Sequence, residues 1–187
     1  MHAVEGIMGY FVPATPVHIS EFGQRGLWFD YQRLCRPFIN DSVLAVLMND
    51  DTEILKPYLN HIADGYFSLK EEFNTQRKVE AYFEQLEKNE TNDRIKHGLY
   101  DCISNVILFE VEGSQAQQFH FRISMSSTIS FKYLDADTKA NLEGLYVNYF
   151  FRRQDDFWRK EAIAKLPFLK RSTNMLICGE DLGMVPD

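Results

Sequence analysis

Residues 174–186 read NMLICGEDLGMVP, and this stretch decides the expected fold. It begins as an apolar run of strand length and changes at Gly179 to two acids and a second glycine. A buried parallel strand passes into a loop in this way, because such strands are short continuous apolar runs that end at turn residues. The pattern predicts a strand over residues 174–178, with Glu180 and Asp181 just beyond its carboxyl end.

Glu180 would then lie beside a dry interior, at the strand edge where β/α barrels carry their catalytic groups. Burial raises the pKa of a carboxyl group, because it disfavours the charged form. Such a carboxyl can donate a proton near neutral pH, which cleavage of a glycosidic bond requires. The alternative is a strand followed by an acidic turn that has no catalytic role, and this segment alone leaves both open.

The overall composition limits the class of protein. The chain has 187 residues, a formal net charge of -7 and 45% hydrophobic residues, which suits one globular domain or one and a fraction. The acidic balance and the lack of a basic run argue against a nucleic-acid partner. No apolar run approaches the about 18 residues of a membrane span, and no secretory signal follows Met1.

The cysteines and histidines point to no metal or disulfide framework. Cys35, Cys102 and Cys178 are widely separated and form no CxxC pair, so we expect a reducing, cytoplasmic setting. The five histidines share no spacing typical of a zinc site. His120 alternates with two phenylalanines and is expected to face outward from a hairpin.

The local patterns predict an α+β fold that is predominantly helical with a small antiparallel hairpin. Residues 1–40 are rich in glycine and proline and are expected to be loop with one short helical turn. Residues 41–150 alternate helical periodicity with a hairpin over about residues 107–123. Residues 151–187 hold a last helix, from about residue 155 to 165 and ended by Pro167, and the closing strand.

Several segments together resemble one family. The run from Gly179 to Pro186 resembles the acid/base motif of the 4-α-glucanotransferases, also called amylomaltases or disproportionating enzymes, of glycoside hydrolase family 77. The helix around residues 157–162 and the Leu-Pro step at residues 166–167 are similar to the chain that precedes this motif. Residues 3–14 resemble the segment that follows the family's nucleophile strand, and residues 26–39 are similar to the long type-2 enzymes, which carry an inserted module.

The resemblance implies a retaining transfer of α-1,4-glucan units between maltooligosaccharides or glucans, on a (β/α)8 barrel and with no cofactor. The family uses an aspartate nucleophile, a glutamate acid/base and a further aspartate, of which Glu180 matches the acid/base. Asp181 is the expected orienting neighbour. Trp28 and Tyr10 are further candidates for stacking against sugar rings, with a place in the core as the alternative.

By this resemblance the chain is an internal fragment of an insertion-bearing enzyme. Residues 1–40 and 151–187 would be pieces of an incomplete barrel, and residues 41–150 the inserted module. The motif of the nucleophile is absent, so we expect the isolated fragment to be inactive. The expected partners are glucans, the rest of the barrel and, in one possibility, a second copy of the chain. The alternative is a non-catalytic module that binds glucan or pairs subunits.

Overall fold

The computed structural model describes residues 14–62 and 65–177. Helices dominate the described residues, and the short strands form two small antiparallel sheets. The strands are β1 Val17–His18, β2 Leu59–His61, β3 Phe67–Leu69, β4 Leu108–Glu110 and β5 Gln118–Phe121. The helices are α1 Ile19–Gln24, α2 Tyr31–Cys35, α3 Asp41–Met48, α4 Gln76–Phe83, α5 Glu90–Ser104, α6 Ile129–Lys132, α7 Ala136–Asn148 and α8 Gln154–Ser172, with a π-helical turn, Tyr149–Arg153, joining the last two.

The predicted α+β class is confirmed, and so is the predicted hairpin. Strands β4 and β5 pair antiparallel, with Phe109 opposite His120. Residues 118–121 alternate between the two faces of the sheet, so that Phe119 and Phe121 are fully buried. This alternation is the signal that identified the hairpin.

Polar side chains cap the helices that frame the molecule. The side chains of Asn40, Thr75, Asn89 and Asp135 each accept a hydrogen bond from a backbone N–H in the first turn of α3, α4, α5 and α7, respectively. The first N–H groups of a helix have no partner within the helix, so a side-chain acceptor at this place stabilises its start by about 1 kcal/mol.

The buried apolar side chains form two clusters. The first combines α1, α2 and β1 with the hairpin, α6 and α7, around Phe22, Phe119 and Tyr149. The second lies between α3, α4, α5 and the β2–β3 pair, around Leu44, Val79 and Leu99. The first cluster therefore combines residues that come before the second cluster in the sequence with residues that come after it.

The segment from Val17 to Cys35 is more than a loop. Strand β1 adds to the hairpin as a third strand, with Val17 opposite Phe119, giving the order β1-β5-β4. Helix α1 follows at once and buries Phe22 among the rings of Phe29 and Phe119. The division of the chain into residues 1–40, 41–150 and 151–187 stays a prediction, while the packing joins the first two of these ranges in one core.

The predicted end of the last helix is wrong. Pro167 was expected to stop it, but α8 continues through Pro167 to Ser172. Proline removes one backbone hydrogen bond of a helix and crowds the preceding turn. The turn around it is exposed, with Ile163 and Phe168 68% and 70% accessible, so water can solvate the freed carbonyl.

The predicted strand at residues 174–178 is also not borne out where it is described. Residues 174–177 form bends and irregular chain, and Met175 and Leu176 are 77% and 89% exposed. A strand needs a neighbouring backbone to pair its N–H and C=O groups, and neither described sheet reaches these residues. The barrel itself stays a prediction, since both described sheets are antiparallel. No helix within the described ranges is long and apolar enough to cross a membrane.

Candidate binding site

The residues expected to act on substrate fall mostly outside the described ranges. Glu180, Asp181 and Tyr10 all lie outside the described residues, so their predicted roles stay predictions. Trp28 lies between α1 and α2 and is 91% exposed, so it does not belong to the core of the described residues. Its ring is accessible for stacking, but it does not line the cavity described below.

A cavity of about 870 Å³ opens between α2, the β2–β3 pair and the end of α6. Its lining comes from residues 30–40, from residues 62 and 66–75, and from Tyr133. Ligand sites in proteins have volumes of about 300–1,000 Å³ and combine apolar walls with a few polar groups. The cavity matches both criteria.

Three aromatic rings stand together at this cavity. The ring of Phe38 lies 5.8 Å from that of Tyr66 and 5.7 Å from that of Tyr133, centroid to centroid. Phe38 is partly buried, whereas Tyr66 and Tyr133 are 42% and 51% exposed. The two tyrosines therefore offer accessible ring surface next to the more enclosed ring of Phe38.

Arg33 packs on the ring of Phe38 and is held there by hydrogen bonds to Ser130. Its guanidinium carbon lies 3.9 Å from the centroid of Phe38, a cation–π contact. Its two terminal nitrogens donate to the hydroxyl and the carbonyl oxygen of Ser130, at 2.6 and 2.5 Å. Burial lowers the pKa of Arg33, yet a guanidinium remains charged at neutral pH.

Asn105 fixes the backbone of Phe38. The side-chain amide of Asn105 donates to the backbone carbonyl oxygen of Phe38 at 2.7 Å, and the backbone carbonyl oxygen of Asn105 accepts from the N–H of Phe38 at 3.2 Å. The side-chain oxygen of Asn105 accepts from the N–H of Ser130 at 2.7 Å. Asn105 is 5% exposed, so these bonds form out of contact with water.

The opposite wall is fixed by backbone hydrogen bonds. The N–H of Phe67 donates to the carbonyl oxygen of Ile39 at 3.0 Å, and that of Ile62 donates to the carbonyl oxygen of Tyr66 at 2.7 Å. Tyr66 also forms a bridge with Asn40. The backbone of Tyr66 is thus held by hydrogen bonds with Ile62 and by the bridge with Asn40.

The lining offers neutral hydrogen-bonding groups and little that could catalyse a reaction. Within the described ranges, the side chains of Gln32 and Ser68 and the hydroxyls of Tyr66 and Tyr133 have no hydrogen-bond partner. Asp30 is the one carboxylate in the described lining, and it accepts from the N–H of Arg33 as the cap of α2. The arrangement suits recognition of a ligand rather than acid–base chemistry.

In the described ranges, Cys102 is buried and Cys35 and His120 are partly buried, and neither cysteine is activated as a nucleophile. Burial raises the pKa of both Cys35 and Cys102 to about 12, so neither is a thiolate at neutral pH. His120 was expected to face outward, but its Nδ1 lies 2.7 Å from the hydroxyl of buried Tyr149, and burial lowers its pKa. In the described parts of the chain, no three His, Cys, Asp or Glu side chains are placed to hold a metal ion.

Sequence reasoning did not identify the aromatic site. Phe38 belongs to a run that was compared with the long glucanotransferases, but no pattern linked it to Tyr66 or Tyr133. The three residues are far apart in the chain and belong to no common periodic element. The one available signal was the high aromatic content, 14%, which does not say where rings meet.

The chain is similar to a known enzyme along almost its whole length. It is 34% identical over 190 residues to the 4-alpha-glucanotransferase DPE2 of Oryza sativa subsp. japonica. The match covers 99% of this chain but 20% of that relative, so the chain spans about a fifth of its length. No family model matches, and no solved structure matches. The resemblance to the 4-α-glucanotransferases is confirmed, and the chain aligns with one part of such an enzyme.

Proposed function

We propose that this chain, as a fragment of a 4-α-glucanotransferase, carries the acid/base glutamate of the enzyme and serves the transfer of α-1,4-glucan units between maltooligosaccharides or glucans. The observation that supports the proposal is the identity of 34% with such an enzyme over 99% of the chain. Because the match covers 99% of the chain, it extends over both the motif at residues 179–186 and the segment at residues 3–14 that resemble this family.

Glu180 is the proposed acid/base. In a retaining reaction it protonates the glycosidic oxygen that leaves, and it then removes the proton from the acceptor hydroxyl that attacks. A second carboxylate, about 5–5.5 Å away, attacks the anomeric carbon, and we assign it to another part of the full-length protein. Asp181 is proposed to orient Glu180. The 187-residue chain alone is then expected to be inactive.

The acid/base role is tested in the full-length protein with Glu180→Gln, which removes the proton but keeps the shape of the side chain. Transfer from maltose is expected to fall by about 10²–10⁴-fold. With α-glucosyl fluoride as donor, the leaving fluoride needs no proton, so the first step is expected to lose much less. Glu112→Gln, at an exposed turn residue, is the matched control and keeps the wild-type rate. A Glu180→Gln protein that transfers from maltose at a near wild-type rate contradicts the role.

A second role, as an interface with another part of the protein or another copy of the chain, is supported by an exposed apolar surface on α8 and on residues 175–176. Its exposed side chains are Ile163, Leu166, Phe168, Leu169, Met175 and Leu176. Surfaces of this kind mark interfaces. The proposed partners are the rest of the full-length enzyme or a second copy of the chain. A monomeric mass of the 187-residue chain in light scattering would contradict the homodimer. The cytoplasmic setting also stays a proposal.

A further inference from the structure

We infer that the cavity lined by Phe38, Tyr66 and Tyr133 binds a neutral oligosaccharide, namely a stretch of α-1,4-glucan. The choice of an oligosaccharide is argued from the chemistry of the cavity. The choice of the α-1,4-glucan among oligosaccharides rests on the proposed function.

The aromatic surface suits the faces of sugar rings. The ring of a hexose has C–H groups on its faces and hydroxyl groups around its edge, so its faces pack against aromatic side chains. Tyr66 and Tyr133 are about half exposed, and each ring lies next to that of Phe38, at 5.8 and 5.7 Å from centroid to centroid. A chain of sugar rings can contact successive rings of this group.

The neutral polar groups suit the edges of the same rings. A sugar hydroxyl both donates and accepts a hydrogen bond, and so do tyrosine and serine hydroxyls and a glutamine amide. Such groups are supplied by Gln32, Ser68, Tyr66 and Tyr133, which have no side-chain hydrogen-bond partner in the described parts of the chain. Because no side chain of the described residues occupies them, these groups can exchange their bonds with water for bonds with a sugar hydroxyl.

The charged groups of the lining leave little for an ionic ligand. The guanidinium of Arg33 is bound to Ser130 and covers Phe38, and the carboxylate of Asp30 caps α2. Arg36 lies with its guanidinium carbon 5.2 Å from the ring centroid of Tyr31. Arg33 and Asp30 are therefore engaged within the protein, and in the described lining Arg36 alone remains for an ionic ligand. Because neutral hydrogen-bonding groups outnumber it in the lining, we expect them to dominate recognition.

The cavity is also pre-organised. Hydrogen bonds from Asn105 hold Phe38, and the bond from Phe67 to Ile39 holds the facing wall. A site whose side chains are already in place loses less conformational entropy when it binds. This matters for sugars, because their hydroxyls exchange bonds with water for bonds of similar strength.

The inference is tested by calorimetric titration of the 187-residue chain with a thio-linked maltotetraose, whose glycosidic sulfur resists transfer. Tyr66→Ala and Tyr133→Ala are each expected to weaken binding about tenfold. Tyr82→Ala is the matched control, because Tyr82 is 41% exposed and lies outside the cavity, with its ring 5.0 Å from that of Phe73. It is expected to bind within about twofold of the wild type. Circular dichroism of each variant checks that it is folded.

Three kinds of outcome overturn the inference. The first is the absence of binding at about 10 mM sugar, or binding that is unchanged in both cavity variants. The second is equal affinity for a β-1,4-linked tetrasaccharide, which removes the α-glucan assignment. The third is self-association of the wild-type chain that Tyr133→Ala abolishes, which gives the cavity to a second copy. The Glu180→Gln assay tests the proposed function separately. If the variant loses transfer but the cavity binds no sugar, the proposed function stands and the cavity inference fails. If the cavity binds sugar but the variant transfers normally, the cavity inference stands and the acid/base role fails.

Discussion

The side-chain amide of Asn105 donates a hydrogen bond of 2.7 Å to the carbonyl oxygen of Phe38, the residue at the centre of the aromatic cavity. The oxygen of the same amide accepts from the N–H of Ser130, which in turn binds Arg33. Asn105 follows α5 of the second cluster, and Ser130 belongs to α6, which packs in the first. One buried amide thus links the two cores and the cavity between them.

Asn105→Ala is expected to lower the free energy of unfolding by about 2–6 kcal/mol. The substitution removes two side-chain hydrogen bonds and leaves the carbonyl oxygen of Phe38 and the buried N–H of Ser130 unpaired. Each unpaired group costs about 1–3 kcal/mol of stability. Urea unfolding measures the loss. Because Phe38 also loses its support, binding of the thio-linked sugar is expected to weaken in the same variant.

Asn92→Ala is the control for this change. The side chain of Asn92 also donates to a backbone oxygen, that of Glu87 at 2.8 Å, but this bond is exposed to water. Its removal is expected to change the free energy of unfolding by less than about 0.5 kcal/mol. Equal losses in the two asparagine variants would contradict the structural role of Asn105.

Gly98→Ala is expected to destabilise the second cluster by about 1–3 kcal/mol, as overpacking does. A Cβ at Gly98 would stand 2.6 Å from the sulfur of Met48 and 3.2–3.3 Å from the methyl carbons of Leu55. Both neighbours are fully buried and have little space to move away. Thermal or urea unfolding measures the change, and a stabilised variant would show that the interior around Leu55 is looser than described.

Gly23→Ala is the matched substitution with the opposite sign. Gly23 is helical as Gly98 is, but a Cβ there meets no atom within 4 Å. Alanine restricts the unfolded chain and favours the helix, so the free energy of unfolding is expected to rise by about 0.5–1 kcal/mol. A loss of stability at Gly23 would mean that α1 packs differently from the described arrangement.

The sequence predicted the elements whose cause is local. The hairpin followed from the alternation at residues 118–121, and α4 from apolar residues at helical spacing such as Val79 and Phe83. The pairing of Val17 with Phe119 could not be predicted in this way, because it joins residues distant in the chain and β1 has only two residues. The cavity depends on the same kind of long-range contact, between Phe38 and Tyr133. Local periodicity carries no information about such contacts.

His120 is expected to make the stability of the protein fall as the pH falls below about 6.5. Burial lowers the pKa of His120 in the folded chain, so the unfolded chain binds the proton more readily. The stabilisation from the neutral ring is complete above the unfolded pKa of 6.5 and is lost as the pH falls through the folded pKa. In urea unfolding at pH 7.5 and 5.5, His120→Gln is therefore expected to lose less stability between the two pH values than the wild type.

The contribution of His120 to the pH dependence of stability can be distinguished from that of Glu21 and from the loss of a hydrogen bond. Burial raises the pKa of Glu21, but the hydrogen bond and charge of Arg153 outweigh it and lower the pKa below 4.5, so this carboxylate contributes no change in the tested window. Tyr149→Phe removes the hydroxyl that contacts His120 and leaves the histidine buried. It is expected to lose about 1 kcal/mol at both pH values and to keep the wild-type pH dependence. An unaltered pH dependence in His120→Gln contradicts the assignment.

Cys35 and Cys102 are expected to resist alkylation in the folded chain. Burial raises the pKa of each thiol to about 12, so about one in ten thousand is a thiolate at pH 8, compared with about a quarter of free cysteines. Cys178→Ser removes the third thiol, which lies outside the described residues. Iodoacetamide at pH 8 is then expected to modify neither remaining cysteine in the native protein and both in urea, as mass spectrometry of the intact chain can show.

Cys35 is the more sensitive probe, because it is partly accessible, whereas Cys102 is fully buried. Rapid modification of Cys35 in the native chain would mean that α2, which carries both Cys35 and the cavity residue Arg33, is less tightly packed than the hydrogen bonds of Arg33 with Ser130 imply.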